Sequence, residues 1–313
     1  MVGAVDIGGT KIAVGIVDDS GCVLARADSP TDAHLGYVHG LERIVAMLRS
    51  VARNASVVIT GIGIGCTGLV YPATGTFGDM DFLPTWNGYK PVEDLSRIFQ
   101  VQAALENDAD AAALGEAAWG AGKDKERLIY ITVGTGIGGG IILNGQLYRG
   151  ADMSHPELGH HVMDPSGPEC SCGFRGCWET LATGRAMENW FRNNATAADI
   201  NADNLSAKKI CELARQGNEL ARRAVEHESY YLGLGLANLI NLFVPDVIVL
   251  GGSVMNSADL LMEGIQKVIR QGCRFVPYEN TELALASLGE NSNLIGAARV
   301  WHHRFAPTPR AAA

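Results

Sequence analysis

Two glycine clusters constrain this chain more than any other feature, because each follows a short apolar run directly and is followed directly by another. The first is Asp6-Ile7-Gly8-Gly9-Thr10-Lys11, and the second is Val133-Gly134-Thr135-Gly136-Ile137-Gly138-Gly139-Gly140. Apolar runs of this length, bounded by glycine, are the length of strands rather than helices. Gly3 to Asp6, Lys11 to Asp18 and Val23 to Ala27 are therefore predicted as strands, as are Leu128 to Val133 and Gly139 to Leu143. His39 to Ala55 places Leu41, Ile44, Val45 and Leu48 at helical spacing, Val57 to Gly65 returns to a strand, and the Ala-rich stretch Asp108 to Trp119 predicts a helix. Cys66 to Pro91 is expected as a long loop, and Gly120 to Lys125 as a hinge or loop. The class is α/β.

At 313 residues the chain exceeds what one hydrophobic core usually supports, so two lobes are expected. The second half repeats the logic of the first, ending a later strand at Gly251-Gly252, although no residue-level repeat accompanies it. The expected division is a small lobe over 1–120, completed by a C-terminal helix over 290–306, and a larger lobe over 121–289. Tyr230 to Gly252 is too interrupted, by Asn238, Asn241, Pro245 and Asp246, to span a membrane. It predicts a buried helix ending near Pro245 and a strand from Val247 to Leu250. Met1 to Asp6 lacks the basic and apolar segments of a signal peptide, and Asp18 and Asp19 argue against a transit peptide, so the expectation is a cytoplasmic chain. Pro307 to Ala313 is expected to be disordered. A balance of 34 acidic to 25 basic residues, −9 overall, argues against nucleic acid or an anionic membrane as the main partner.

Glycine pairs let backbone amides approach a phosphate, Thr10 adds a hydroxyl, and Asp6 at a strand end can reach a metal-bound water. Gly134, Gly136 and Gly139 match the spacing of a dinucleotide fingerprint, but that motif must open a helix, and here a strand follows. No GxxxxGK[ST] sequence is present, which argues against a P-loop nucleotidase. Either cluster alone is equally a tight hairpin turn. Two of them, each after an apolar strand, favour facing phosphate loops.

His160, Cys170, Cys172 and Cys177 supply one imidazole and three thiols within a short glycine-bearing stretch, the donor set of a closed tetrahedral zinc site. His155 and His161 compete for the fourth position. Three clustered thiols cannot all pair as disulfides, and four protein donors leave no open position for a hydrolytic water. The other thiols, Cys22, Cys66, Cys211 and Cys273, are expected to be ordinary. Glu106-Asn107-Asp108 stands at the start of the Ala-rich helix, where Asp108 is either a plain N-cap or a positioned carboxylate and Asn107 can hold a polyol hydroxyl. Glu157 lies three residues before His160, and Glu179 two after Cys177. On a zinc-rigidified loop, Glu157, His160 and Glu179 would hold several hydroxyls.

In this order and combination the motifs resemble those of the ROK family of sugar kinases and sugar-responsive repressors. The matching pieces are Asp6 to Lys11, Glu106 to Ala109, Gly134 to Gly140, Glu157 to His160, Cys170 to Glu179 and Leu242 to Gly252. Repressor members carry a DNA-binding segment ahead of the first glycine loop, which begins here near residue 6, so the resemblance implies the kinase branch. It implies an actin/hexokinase-like fold, two ribonuclease H-like lobes closing over ATP and sugar, with Mg²⁺, a structural Zn²⁺ and a homodimer or homotetramer.

Asp108 is then the general base for attack of a hexose 6-hydroxyl on the γ-phosphate of ATP. Asn107, Glu157, His160 and Glu179 resemble sugar-binding residues. Asp6, Gly8, Gly9, Thr10 and Lys11, with Gly134, Thr135 and Gly136, resemble the phosphate loops, and Gly251-Gly252 the turn beside the adenosine. The zinc set is His160, Cys170, Cys172 and Cys177. Glucokinase-like members read PGPVD and PNLPGW where this chain has Thr67-Gly68-Leu69-Val70-Tyr71 and Asp81-Phe82-Leu83-Pro84-Thr85-Trp86. The Thr67-Gly68 pair is similar to the family's N-acetylmannosamine kinases, and the resemblance implies that both segments approach the sugar, Gly68 among their residues. Glucose is the first expectation and an N-acylhexosamine the second, ahead of a sugar-binding regulator without turnover.

Overall fold

The computed structural model describes residues 1–196 and 205–305; the tail from Pro307 lies outside them. The chain divides into two units. The first takes Met1–Glu126, Gly140–Pro156 and the described residues from Ala286 onward; the second takes Arg127–Gly139 and the described part of Glu157–Leu285. Residues 140–156, expected in the larger lobe, thus group with the first unit, as does the C-terminal helix.

The first unit is built on strands β1 (Val2–Ile7), β2 (Lys11–Val17), β3 (Val23–Pro30), β4 (Gly61–Cys66) and β7 (Gln102–Asn107), ordered β3-β2-β1-β4-β7. β1 is antiparallel to β2 and parallel to β4, which is parallel to β7. One face carries Val5, Ile7, Ile62 and Ile64 against helix α1 (Tyr37–Asn54), whose Ile44, Val45 and Leu48 repeat at helical spacing. The other face carries Val2, Ala4, Ala13 and Val17 against helix α9 (Ser292–Phe305) through Leu294, Ala297 and Ala298. Strand β4 alternates Gly with Ile, and its glycines face α9: a methyl on Gly63 would lie 1.8 Å from the Ala297 carbonyl oxygen. Only glycine lets the helix backbone settle on the strand.

The strand expected from Val57 begins only at Gly61. Ser56 turns the chain at φ 55°, and the Thr60 amide donates to the Met1 carbonyl, so 57–60 approach the sheet without joining its ladder. The expected loop from Cys66 to Pro91 contains a small hairpin, β5 (Val70–Tyr71) with β6 (Thr76–Phe77). Helix α2 (Pro91–Phe99), with proline in its first turn, leads into β7, and α3 (Asp108–Trp119) follows at once.

The second sheet is ordered β10-β9-β8-β11-β12, from β8 (Leu128–Val133), β9 (Ile137–Leu143), β10 (Gln146–Leu147), β11 (Val247–Gly251) and β12 (Glu282–Leu285). β8, β11 and β12 are parallel, and β10 is antiparallel to β9, a pattern like that of the first sheet. Helices α4 (Trp178–Leu181), α5 (Gly184–Asn194), α6 (Ala207–Arg215), α7 (Glu219–Phe243) and α8 (Ala258–Gly272) belong to the second unit, as do β8, β11 and β12. The expected buried helix is α7, stopped by Val244 in a left-handed conformation just before Pro245. No helix among the described residues is long and apolar enough to cross a membrane.

Candidate active site

Register places the ends of β1, β4 and β7 level, with Ile7 beside Cys66 and Cys66 beside Asn107. Gly8-Gly9, Thr67-Gly68 and Asn107-Asp108 therefore leave the sheet side by side at its carboxyl end, where α/β sheets bind ligands. Asn107, not Asp108, caps α3: its Oδ1 accepts the Ala109 amide at 2.8 Å, while its Nδ2 donates to the Gly68 carbonyl at 3.2 Å. That frees Asp108 from the capping role. Its Oδ1 accepts the Ala109 amide at 2.9 Å, and its Oδ2 accepts the Thr67 hydroxyl at 2.5 Å. Burial holds the Asp108 carboxyl above its ordinary range, opposed by the Thr67 and Ala109 donors. Asp6 accepts a hydrogen bond from Asn293 of α9 at 3.1 Å. Burial pushes Asp6 up to about 6, the Asn293 bond opposes that, and the nearby Asp108 charge adds to it. Such a buried carboxylate gains from a cation.

A buried ionic cluster underlies this edge. Arg149 donates through one arm to Glu106 and through the other to Asp110 Oδ2 at 2.6 Å, and His155 Nδ1 lies 2.6 Å from the same Asp110 oxygen. Burial pushes Glu106 up to about 7, with Arg149 pulling the other way. Because Asp110 is in the first turn of α3 and Glu106 is the next-to-last residue of β7, the cluster braces the backbone that presents Asp108.

In the first glycine loop the Gly8 amide closes the turn onto the Lys11 carbonyl at 2.9 Å, leaving later groups to face a ligand. Thr10 is exposed, and the Lys11 ammonium lies 3.1 Å from Asp28. In the second loop Gly134 donates to the Gly136 carbonyl at 3.0 Å. The segment after it is β9, so the dinucleotide motif is absent structurally as well.

Within the second unit Thr132 pairs with Gly251, so the loops after β8 and β11 are neighbours. Gly134 and Thr135 line a cavity of about 650 Å³ with Gly184, Arg185, Lys208 and Ser253. Gly251 and Gly252 do not line it; Gly252, at φ 89°, turns the chain to deliver Ser253. The first turns of α5 and α6 also border it, bringing two positive helix ends and the cations Arg185 and Lys208 to one chamber. Such a chamber suits polyanionic phosphate.

His160, Cys170, Cys172 and Cys177 place their donor atoms within 4.8 Å of one another. Cys170 Sγ is 3.4 Å from His160 Nδ1, and Cys172 Sγ is 3.5 Å from Cys177 Sγ. Those are close to the edges of a tetrahedron whose bonds are about 2.0–2.3 Å, so the set fits zinc. Gly176, at φ 66°, presses against Asp164, where a methyl would sit 1.6 Å from the carbonyl oxygen, and this folds the thiol-bearing stretch back on itself. Burial pushes the Cys177 thiol up to about 12, so its ionisation needs a cation beside it. The competing histidines are engaged elsewhere, His155 with Asp110 and His161 Nδ1 with the Leu158 carbonyl at 2.5 Å. Glu179 of α4 lies 3.7 Å from His160 Nδ1, and Glu157 is exposed just ahead of the turn bearing His160.

The sequence profile of the ROK family matches residues 2–304. The chain belongs to the ROK family. It is 35% identical over 312 residues to a glucokinase of Streptomyces coelicolor, covering 94% of this chain and 95% of that one. Among solved structures, it is similar to a ROK hexokinase from Thermus thermophilus (TM-score 0.81, 33% identity, 97% and 98% of the two chains). It is equally similar to a ROK glucokinase from Streptomyces griseus in complex with glucose and AMPPNP (TM-score 0.81, 32% identity, 96% and 99%). The architecture is the actin/hexokinase-like fold of these ROK proteins. Sequence reasoning missed the first unit's ionic cluster of this ROK chain: Asp110 and Arg149, with His155 weighed only as a zinc ligand. The signal available was Asp110, an acid at a first-turn position of an otherwise Ala-rich helix.

Proposed function

We propose that this chain is an ATP-dependent sugar kinase that phosphorylates a hexose, glucose first, at the 6-hydroxyl. The observation that carries the reading is Asp108, a buried carboxylate at the mouth of the first sheet, held by Thr67 and raised towards accepting a proton. As the primary hydroxyl oxygen attacks the γ-phosphorus, Asp108 takes its proton and the bond to the β-phosphate oxygen breaks, releasing ADP. The phosphates are assigned to the Gly8–Thr10 and Gly134–Gly136 loops, and the nucleotide to the 650 Å³ chamber. Asn107, Glu157, His160 and Glu179 are assigned to sugar hydroxyls, with one Asn107 amide hydrogen and His160 Nε2 remaining for that purpose. Asp6 is the residue suited to Mg²⁺ through water, and that ion supplies charge neutralisation on the phosphates. His160, Cys170, Cys172 and Cys177 would hold a structural zinc. The setting is cytoplasmic and the assembly a homo-oligomer.

The Thr67-Gly68 pair favours one second reading, an N-acylhexosamine as the sugar. A coupled ADP-release assay over glucose, mannose, N-acetylglucosamine and N-acetylmannosamine separates the two. Asp108→Ala is expected to lower kcat by at least a hundredfold while sugar binding persists. A variant that keeps wild-type turnover would refute Asp108 as the base.

A further inference from the structure

β7 is the outer strand of the first sheet, and a cavity of about 410 Å³ lies against its residues 103–106. The turn of the β5–β6 hairpin, the segment following β10 and the last turns of α9 wall it in, all from the first unit. Its volume is that of a small-molecule site. Leu147, Val300 and Phe305 give it apolar walls, while Glu106, Arg149, His303 and Arg304 supply the titratable groups. The Arg149 side chain is 7% exposed. Its Nη1 donates to Asp110 and to the Tyr148 carbonyl, and its Nη2 to Glu106. A guanidinium carries five N–H groups, so the Nε hydrogen and one Nη2 hydrogen have no acceptor among the described residues. Arg304 likewise makes no hydrogen bond or ion pair among the described residues. Burial holds the His303 imidazole below its ordinary range, and the charges that act on it in the same direction are Arg299, Arg149 and Arg304. In a chain of net charge −9 this corner is positive. A basic last turn complements the negative end of a helix, which accounts for Arg304. It does not account for unspent donors on a buried Arg149 from another segment.

We propose that this cavity binds a small organic anion, a phosphate or carboxylate on an apolar body, and that the bound anion restrains turnover through Arg149. The head group takes the unspent Arg149 donors together with Arg304 and His303, in charge-assisted hydrogen bonds. The body rests on the apolar walls. Arg149 is also the cation that Glu106 and Asp110 share, so an anion drawn to it competes with those carboxylates and loosens the brace beneath Asp108. Binding stands on the cavity alone, whereas the restraint on turnover rests on the kinase reading.

The test uses the full-length protein with phenyl phosphate, benzoate and, as the neutral counterpart, benzyl alcohol. Calorimetry measures their binding in the presence of AMPPNP, which keeps the phosphate loops occupied. At least one of the two anions is expected to bind, with benzyl alcohol about tenfold weaker or more, and the tighter anion identifies the head group. Arg304→Ala should weaken the anion by about tenfold, the worth of one charge-assisted hydrogen bond, and Arg304→Glu should abolish binding. Arg304 lies outside the catalytic machinery, so both variants should turn over normally without the anion. In steady-state kinetics the bound anion should lower wild-type kcat several-fold with little change in KM for sugar or ATP, and Arg304→Glu should be insensitive to it. Failure of both anions to bind, equal binding of benzyl alcohol, or binding indifferent to Arg304 would each overturn the site. Binding that depends on Arg304 but leaves kcat unchanged would overturn the coupling to Asp108. A wild type that phosphorylates no sugar refutes the kinase reading instead, and calorimetry still decides the site.

Discussion

Replacing Arg149 by methionine would strand the buried Glu106 carboxyl and leave Asp110 with His155 as its partner. The Arg149 side chain is 7% exposed and serves Glu106 at 12% and Asp110 at 0%. Removing one partner of a buried ion pair costs about 3–5 kcal/mol, because the remaining charge is left without compensation. Methionine retains the apolar stem, so the loss measures charge rather than cavity. At roughly 2–4 °C per kcal/mol, the melting temperature should fall by on the order of 10 °C at pH 8. The effect also has a pH signature. Burial already pushes Glu106 from its ordinary 4.5 up to about 7, so between those values the folded protein holds a proton that the unfolded chain has released. Stability from this group is therefore greatest below about 4.5 and declines as pH rises towards 7. Without Arg149 the carboxyl moves higher still, and protonation can relieve the stranded charge in mild acid. The difference in melting temperature between Arg149→Met and wild type should thus be smaller at pH 6 than at pH 8. Adding Glu106→Gln to the variant should recover part of the loss. Scanning calorimetry of the three proteins at both pH values decides it. A variant within about 2 °C of wild type at pH 8, or one hurt more at pH 6, would refute the reasoning.

Two further outcomes are expected. Thr67→Val removes a donor that lowers the Asp108 pKa, so the acid limb of kcat/KM should move to higher pH with little change on the alkaline side; an unmoved limb would show that Thr67 does not set the base. Cys172→Ser, or prolonged chelation, should remove bound zinc as measured by elemental analysis and lower the melting temperature by several degrees. Full zinc content with an unchanged melting curve would count against the four-donor site.

What was legible in the sequence was local. Gly8-Gly9, Asn107-Asp108 and the Cys170 to Cys177 stretch carry their chemistry within a few residues. The ionic cluster was not legible, since Arg149 and His155 are 39 to 45 residues from Asp110 and each resembles a surface charge in isolation. The cap, too, stays open in the sequence. Both Asn107 and Asp108 are good capping types, and only the strand-to-helix geometry decides that Asn107 takes the turn.

Since Gly63 of β4 admits only the α9 backbone, the first sheet has a schedule imposed on it during synthesis. All five of its strands have been made before Asp108 is added, whereas Ser292–Phe305 follows much later, and the bond that steadies Asp6 joins residues 287 apart. At roughly 5–20 residues per second the interval is on the order of ten seconds or more. Throughout it Val2, Ala4, Ala13 and Val17 lack their covering helix. The nascent chain therefore offers an apolar sheet face to holding chaperones well before it can assemble a competent carboxylate pair.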